Sequence, residues 1–142
     1  MNARTFFLVM VIAATATLST AHAAAPADQI TKVVIQVTDG DPGRWNMVLN
    51  NVKNAQIDLG ADKVKIEVVA YGPGVMMLKS DSVTATRVSE AVNSGVQIVA
   101  CENTMVGLKL SKTEMNASIG YVPSGIVEVI KRQQDGWAYV RP

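Results

Sequence analysis

From Lys32 onward, short β-branched runs alternate with longer stretches whose apolar residues recur at helical spacing. Residues 33–37, Val-Val-Ile-Gln-Val, read as a buried strand. Over residues 44–59, Trp45, Val48, Leu49, Val52, Gln56 and Leu59 fall near one helical face, and Gly60 ends the helix. Residues 64–71 form a second strand, in which Val68, Val69 and Ala70 run together as expected where helices cover both faces. Gly72-Pro73-Gly74 breaks the chain ahead of a short apolar piece, residues 75–78.

Residues 83–93 set Val88, Ala91 and Val92 on one face of a second helix, which stops at Gly95. A third strand, residues 96–100, runs into Cys101, and a short helix over residues 104–110 follows, weakened by Gly107. Residues 119–122 read as a short fourth strand. Pro123 suits a helical first turn, with Ile126, Val127 and Ile130 as the buried face and Asp135-Gly136 as the close. Residues 137–140 make a last strand. Strands alternating with helices call for right-handed crossovers. The expected fold is therefore α/β, a three-layer α/β/α domain around a mainly parallel sheet of about five strands.

The first 23 residues read differently. Arg4, the apolar run 6–18 and the ending Ala21-His22-Ala23 have the charged start, apolar centre and small-residue cleavage site of a secretory signal peptide. The expected organisation is a signal peptide over residues 1–23 and one domain over residues 24–142, placed in the periplasm. The lack of a cysteine near the cut argues against a lipid anchor, so no membrane anchor is expected after cleavage.

Removing residues 1–23 from the 142 leaves 119, and the loss of Arg4 brings Lys plus Arg from 13 to 12, equal to Asp plus Glu. A formally neutral chain without a basic block argues against nucleic acid as a partner. The single histidine, His22, lies in the expected signal peptide. Ser-His-Asp triads, Cys-His pairs and His-containing metal sites each need a residue that the mature chain would lack. No metal and no cofactor is expected.

Cys101 is the one thiol, placed where a strand ends and a helix is about to start. Ligands in open parallel sheets gather at carboxyl ends of strands, and a helix N-terminus favours thiolate over thiol. Adjacent Glu102 acts the other way, so a pKa near the free value of about 8.5 is expected. Packing is the competing role for a lone cysteine. Four loops should share the same rim: residues 38–43, 71–74, 101–104 and 122–125. In the first, Asp39 and Asp41 could act as the paired carboxylates of a magnesium phosphatase, although Gly43 replaces the residue that such a motif requires. A turn built from Asp, Gly and Pro is the simpler reading. Gly72 and Gly74 could let backbone approach a ligand, or merely form a tight turn. Met76 and Met77 fit core filling.

The segments KVVIQVTDGD, VVAYGPGV, GVQIVACENTM and VPSGIVEVIKRQQDGWAYVRP, in that order, resemble the DsrE/DsrF-like family over essentially the whole mature chain. The resemblance implies a homo-oligomer, a trimer or hexamer, that carries sulfur as a persulfide on a cysteine after a central strand. Carried over by position, that cysteine is Cys101, with Asn103 and Thr104 in its flanking loop. The expected ligand is a small sulfur species, held by loop backbone near Asn103, Gly72 and Gly74, with Asp39 on the same rim. The alternative is a noncatalytic periplasmic ligand-binding or assembly protein in which Cys101 is only structural.

Overall fold

The structure, a computed structural model, describes residues 29–142. The expected signal peptide lies outside the described residues, and no helix among the described residues is long and apolar enough to cross a membrane. The elements run β1 (Thr31–Val37), α1 (Pro42–Leu59), β2 (Val64–Ala70), a 3-10 segment (Gly72–Leu78), α2 (Ala85–Asn93), β3 (Gln97–Cys101), α3 (Glu102–Gly107), a 3-10 turn (Lys112–Glu114), β4 (Gly120–Val122), α4 (Gly125–Gln134) and β5 (Ala138–Val140). All five strands are parallel and lie in the order β4-β3-β2-β1-β5.

That order fixes the layers. From β1 to β4 each connection steps one place in the same direction, so right-handed crossovers put the intervening helices on one face. The return from β4 to β5 runs the opposite way across the sheet, so α4 must lie on the other face. The core divides accordingly. Ile35, Ile66, Val68, Ala70, Ile98 and Ala100 pack with Trp45, Val48, Leu49 and Val52 of α1, Val88 of α2 and Met105 of α3. The alternate residues Val34, Val69 and Val99 pack with Val129 of α4. Both faces are covered, which explains the unbroken apolar run at the end of β2.

Local signals account for the ends of α1. Asp41 occupies the N-cap and its Oδ1 accepts the Gly43 N–H at 3.0 Å, Pro42 fills the first turn, and Gly60 leaves the helix at φ +90°. The 3-10 segment after β2 buries Val75, Met77 and Leu78 completely, whereas Met76 is exposed. Of the methionine pair, Met77 is thus the core filler.

The buried face of α4 departs from expectation. Ile126, Val127 and Ile130 were expected to form the buried face of α4, but they are 49%, 43% and 47% exposed. The helix instead turns Gly125, Glu128, Val129 and Arg132 inward, at the i, i+3, i+4, i+7 spacing of a single face. The reason lies in the sheet beneath it. Glu67, 1% exposed in the middle of β2, pairs with Arg132, which also binds Glu128 at 3.0 Å and stacks over the Trp137 ring. A carboxylate buried in the sheet demands a cation, and supplying it sets the rotation of the helix. Pro123 accordingly lies two residues before α4 instead of in its first turn.

Candidate functional site

β3 and β4 are neighbours whose chains leave in opposite directions, β3 into α3 on the α1/α2 face and β4 into α4 on the other. The crevice between two such strands is where open α/β sheets bind ligands. Cys101 lies at that crevice, paired in register with Val122. It alternates with Ala100 and so shares the face of Val99 and α4.

The thiol lies just within the molecule, with the residue 4% exposed, but its immediate surroundings are polar. Burial is the largest influence on Cys101 and pushes its pKa up. The Thr104 hydroxyl and the backbone N–H groups of Gly125, Thr104 and Asn103 favour the thiolate and together outweigh that penalty, so the net shift is downward. Asn103 and Thr104 lie in the first turn of α3 and Gly125 begins α4, so the starts of both helices adjoin the residue. The neutral thiol has only one long donor contact, from Sγ to the Pro123 carbonyl at 3.9 Å.

The lowered pKa departs from the near-reference value expected from sequence. The Glu102 carboxylate is held 2.7 Å from Lys112 Nζ and is not among the main influences on Cys101. Adjacency in sequence is not adjacency in space at a strand-to-helix junction.

The other predicted site residues divide into two groups. Thr104 and Gly72 join Cys101, because the Gly72 N–H donates to Thr104 Oγ1 at 3.0 Å. That bond leaves the Thr104 proton free to point at the sulfur. Asn103 contributes its backbone, donating to the Pro123 carbonyl at 3.2 Å, while the residue as a whole is exposed. Gly74 answers to packing. A Cβ there would lie 2.3 Å from the Val37 carbonyl oxygen, so the glycine lets the 3-10 segment close against the end of β1. Asp39 stands at the β1 end of the rim, its carboxylate 4.0 Å from Arg141 and its carbonyl accepting the Trp45 indole N–H at 2.7 Å. Asp41 caps α1, which answers the turn reading of this loop and takes that carboxylate away from Asp39 as a partner. No cluster of three or more potential metal ligands occurs among the described residues.

Sequence reasoning missed three participants. Gly125 favours the thiolate through its backbone, Tyr71 packs against Gly125, and Arg141 donates to Thr38 Oγ1 at 3.4 Å. The first two fall in loops already placed on the rim, and the third had no sequence signal. Burial pushes the Tyr71 phenol up, with Tyr139 and Cys101 adding to the rise and Arg141 opposing it. A groove of about 390 Å³ between α1 and α2, lined by Leu49, Val52, Ile57 and Ala91, lies on the opposite face from the thiol.

The comparisons agree with this architecture. The model of the DsrE/DsrF-like family matches residues 13–142. The chain belongs to that family. A solved structure of a protein of unknown function from Methanobacterium thermoautotrophicum is 37% identical, covers 79% of this chain and 99% of its own, and superposes with a TM-score of 0.76. A conserved protein of unknown function from Bacteroides thetaiotaomicron, 19% identical over 78% of this chain and 94% of its own, shares the fold with a TM-score of 0.65. No curated protein matches. Membership of the DsrE/DsrF-like family suggests a sulfur-related role, and both of these solved relatives are uncharacterised.

Proposed function

We propose that this DsrE/DsrF-like protein is exported to the periplasm and accepts a small sulfur species on Cys101 as a persulfide. The observation that carries this reading is the position of Cys101 in the β3/β4 crevice, directly before α3 and with Sγ 3.9 Å from the Pro123 carbonyl near the start of α4. Thr104 and the backbone of Asn103, Thr104 and Gly125 favour an anion on Sγ, and a persulfide is also an anion. In the proposed step the Cys101 thiolate attacks the sulfane sulfur of thiosulfate. The S–S bond of thiosulfate breaks, sulfite leaves with the electron pair, and a new S–S bond to Cys101 carries the negative charge, so no outside oxidant is needed. A polysulfide reacts in the same way and leaves as the shortened chain. Glu102 is paired with Lys112, which offsets its negative charge beside this chemistry.

The reading extends to a homo-oligomer, a trimer or hexamer. Its support is the apolar stripe Ile126, Val127 and Ile130, exposed along the outer side of the helix that starts at the thiol.

Intact-mass measurement after exposure to thiosulfate or polysulfide tests the carrier reading. The expected result is a mass gain of one or more sulfur atoms, reversed by a reducing thiol and absent in Cys101→Ser. Protein whose thiol reacts with iodoacetamide but never gains sulfur would overturn it.

The 4% exposure of Cys101 favours a second reading, a noncatalytic ligand-binding or assembly protein in which the thiol only packs. Native protein would then resist iodoacetamide, and Cys101→Ala would lose stability while leaving ligand binding and assembly intact.

A further inference from the structure

We propose that Tyr71 is a positioning residue for the Cys101 thiol, its ring seating the first residue of α4 so that the Gly125 N–H meets Sγ. The inference rests on the reading of Cys101 as the working sulfur and names the residue that tunes it. A Cβ built on Gly125 would lie 2.7 Å from Tyr71 Cδ1, 2.9 Å from its Cβ and 3.0 Å from its Cγ. These distances leave no room for a side chain, so backbone and ring are in direct contact, and Gly125 is buried in consequence. Tyr71 itself is tied to the sheet, since its N–H donates to the Val37 carbonyl at 3.1 Å and its carbonyl accepts from Gly74 at 3.2 Å. The next residue, Gly72, holds the Thr104 oxygen. Sγ lies 3.9 Å from the carbonyl of Pro123, two residues before Gly125, so the end of β2 braces both segments beside the thiol, the start of α4 through a ring and Thr104 through a backbone N–H.

The phenol remains protonated while the thiol titrates, because burial raises its pKa. The ring, not a charge on its oxygen, is what acts. Tyr71→Phe preserves that ring, whereas Tyr71→Ala removes the seat and lets the N-terminus of α4 drift from the sulfur.

The test is a pH titration of thiolate ultraviolet absorbance, taken as the difference between each protein and its Cys101→Ser counterpart, with circular dichroism confirming the fold. Tyr71→Ala should raise the midpoint by about half to one pH unit, a roughly three- to tenfold loss of thiolate below it, and Tyr71→Phe should match wild type. Gly125→Ala, whose methyl must displace either ring or helix, should shift the midpoint in the same direction and carries the test if Tyr71→Ala does not fold. Unchanged midpoints in the folded variants would overturn the proposal, as would a Tyr71→Phe shift equal to that of Tyr71→Ala. The titration requires no sulfur donor. A Tyr71 effect without sulfur adducts would remove the carrier reading alone, and adducts without a Tyr71 effect would remove this inference alone.

Discussion

Gly72 and Thr104, 32 residues apart in sequence, are joined by a 3.0 Å hydrogen bond from the glycine N–H to the threonine hydroxyl oxygen. The bond uses the acceptor side of that hydroxyl, and the Thr104 side chain helps to hold the Cys101 pKa down. Gly72 has φ +55°, a left-handed conformation that a side chain would strain, so the turn at the end of β2 is built for this reach.

Thr104→Val should therefore raise the Cys101 midpoint, by about half to one pH unit, since it deletes a donor to the charged form while keeping the shape. Thr104→Ser keeps the hydroxyl and should remain near wild type. The rate of iodoacetamide labelling as a function of pH reads both.

A depressed pKa in the folded protein also appears in stability. The folded thiol ionises at lower pH than the unfolded one, so ionisation of Cys101 stabilises the fold fully above the unfolded value of about 8.5. That contribution is lost as pH falls through the folded value. The stability of wild type relative to Cys101→Ser should thus increase as pH rises from neutral to alkaline. Urea unfolding of the two proteins across this window measures it, and a difference that stays flat or narrows would contradict the shift.

Gly74 and Gly107 form a matched pair for the packing argument. Gly74→Ala drives a methyl into the Val37 carbonyl, whose oxygen and carbon would lie at 2.3 and 2.6 Å, and backbone cannot yield as a side chain does. A loss of about 3 kcal/mol is expected, at the upper end of overpacking costs. Gly107→Ala adds its Cβ where nothing lies within 4 Å and should be neutral or slightly stabilising. Denaturant midpoints of the two variants provide the comparison.

The order of elements was legible because each long segment repeats its apolar residues at one period, and boundaries such as the stop of α1 at Gly60 follow from local caps. Cys101 at the end of β3 was legible for the same reason. What escaped depends on contacts between distant segments. Tyr71 against Gly125 leaves no mark on either local pattern. Glu102 beside Cys101 misled because the chain turns from strand to helix there and carries the carboxylate to Lys112. Hydrophobicity alone points to the wrong face of α4, because Glu67 beneath the helix selects Arg132. The lone acid of a mostly apolar strand, Glu67 within residues 64–70, was the available signal.

That acid supplies the last prediction. Burial is the main cause of the raised Glu67 pKa, Arg132 opposes it through a hydrogen bond and its charge, and Glu128 adds to the rise. A carboxyl whose folded pKa lies above its unfolded value contributes stability that is fully present below the unfolded pKa and lost as pH rises through the folded one. Glu67→Gln mimics the neutral form, so its stability relative to wild type should improve as pH rises from acid to neutral. Arg132→Met strands the carboxylate, 1% exposed, and should cost about 3 kcal/mol near neutral pH. The cost should shrink in acid, where Glu67 accepts a proton instead of a partner. Combining Glu67→Gln with Arg132→Met should recover most of the loss, because neither charge then remains buried alone. Urea unfolding of the four proteins at an acidic and a neutral pH closes the double-mutant cycle. A cost for Arg132→Met that does not change with pH would mean that Arg132 holds α4 by packing against Trp137, and not through the acid beneath it.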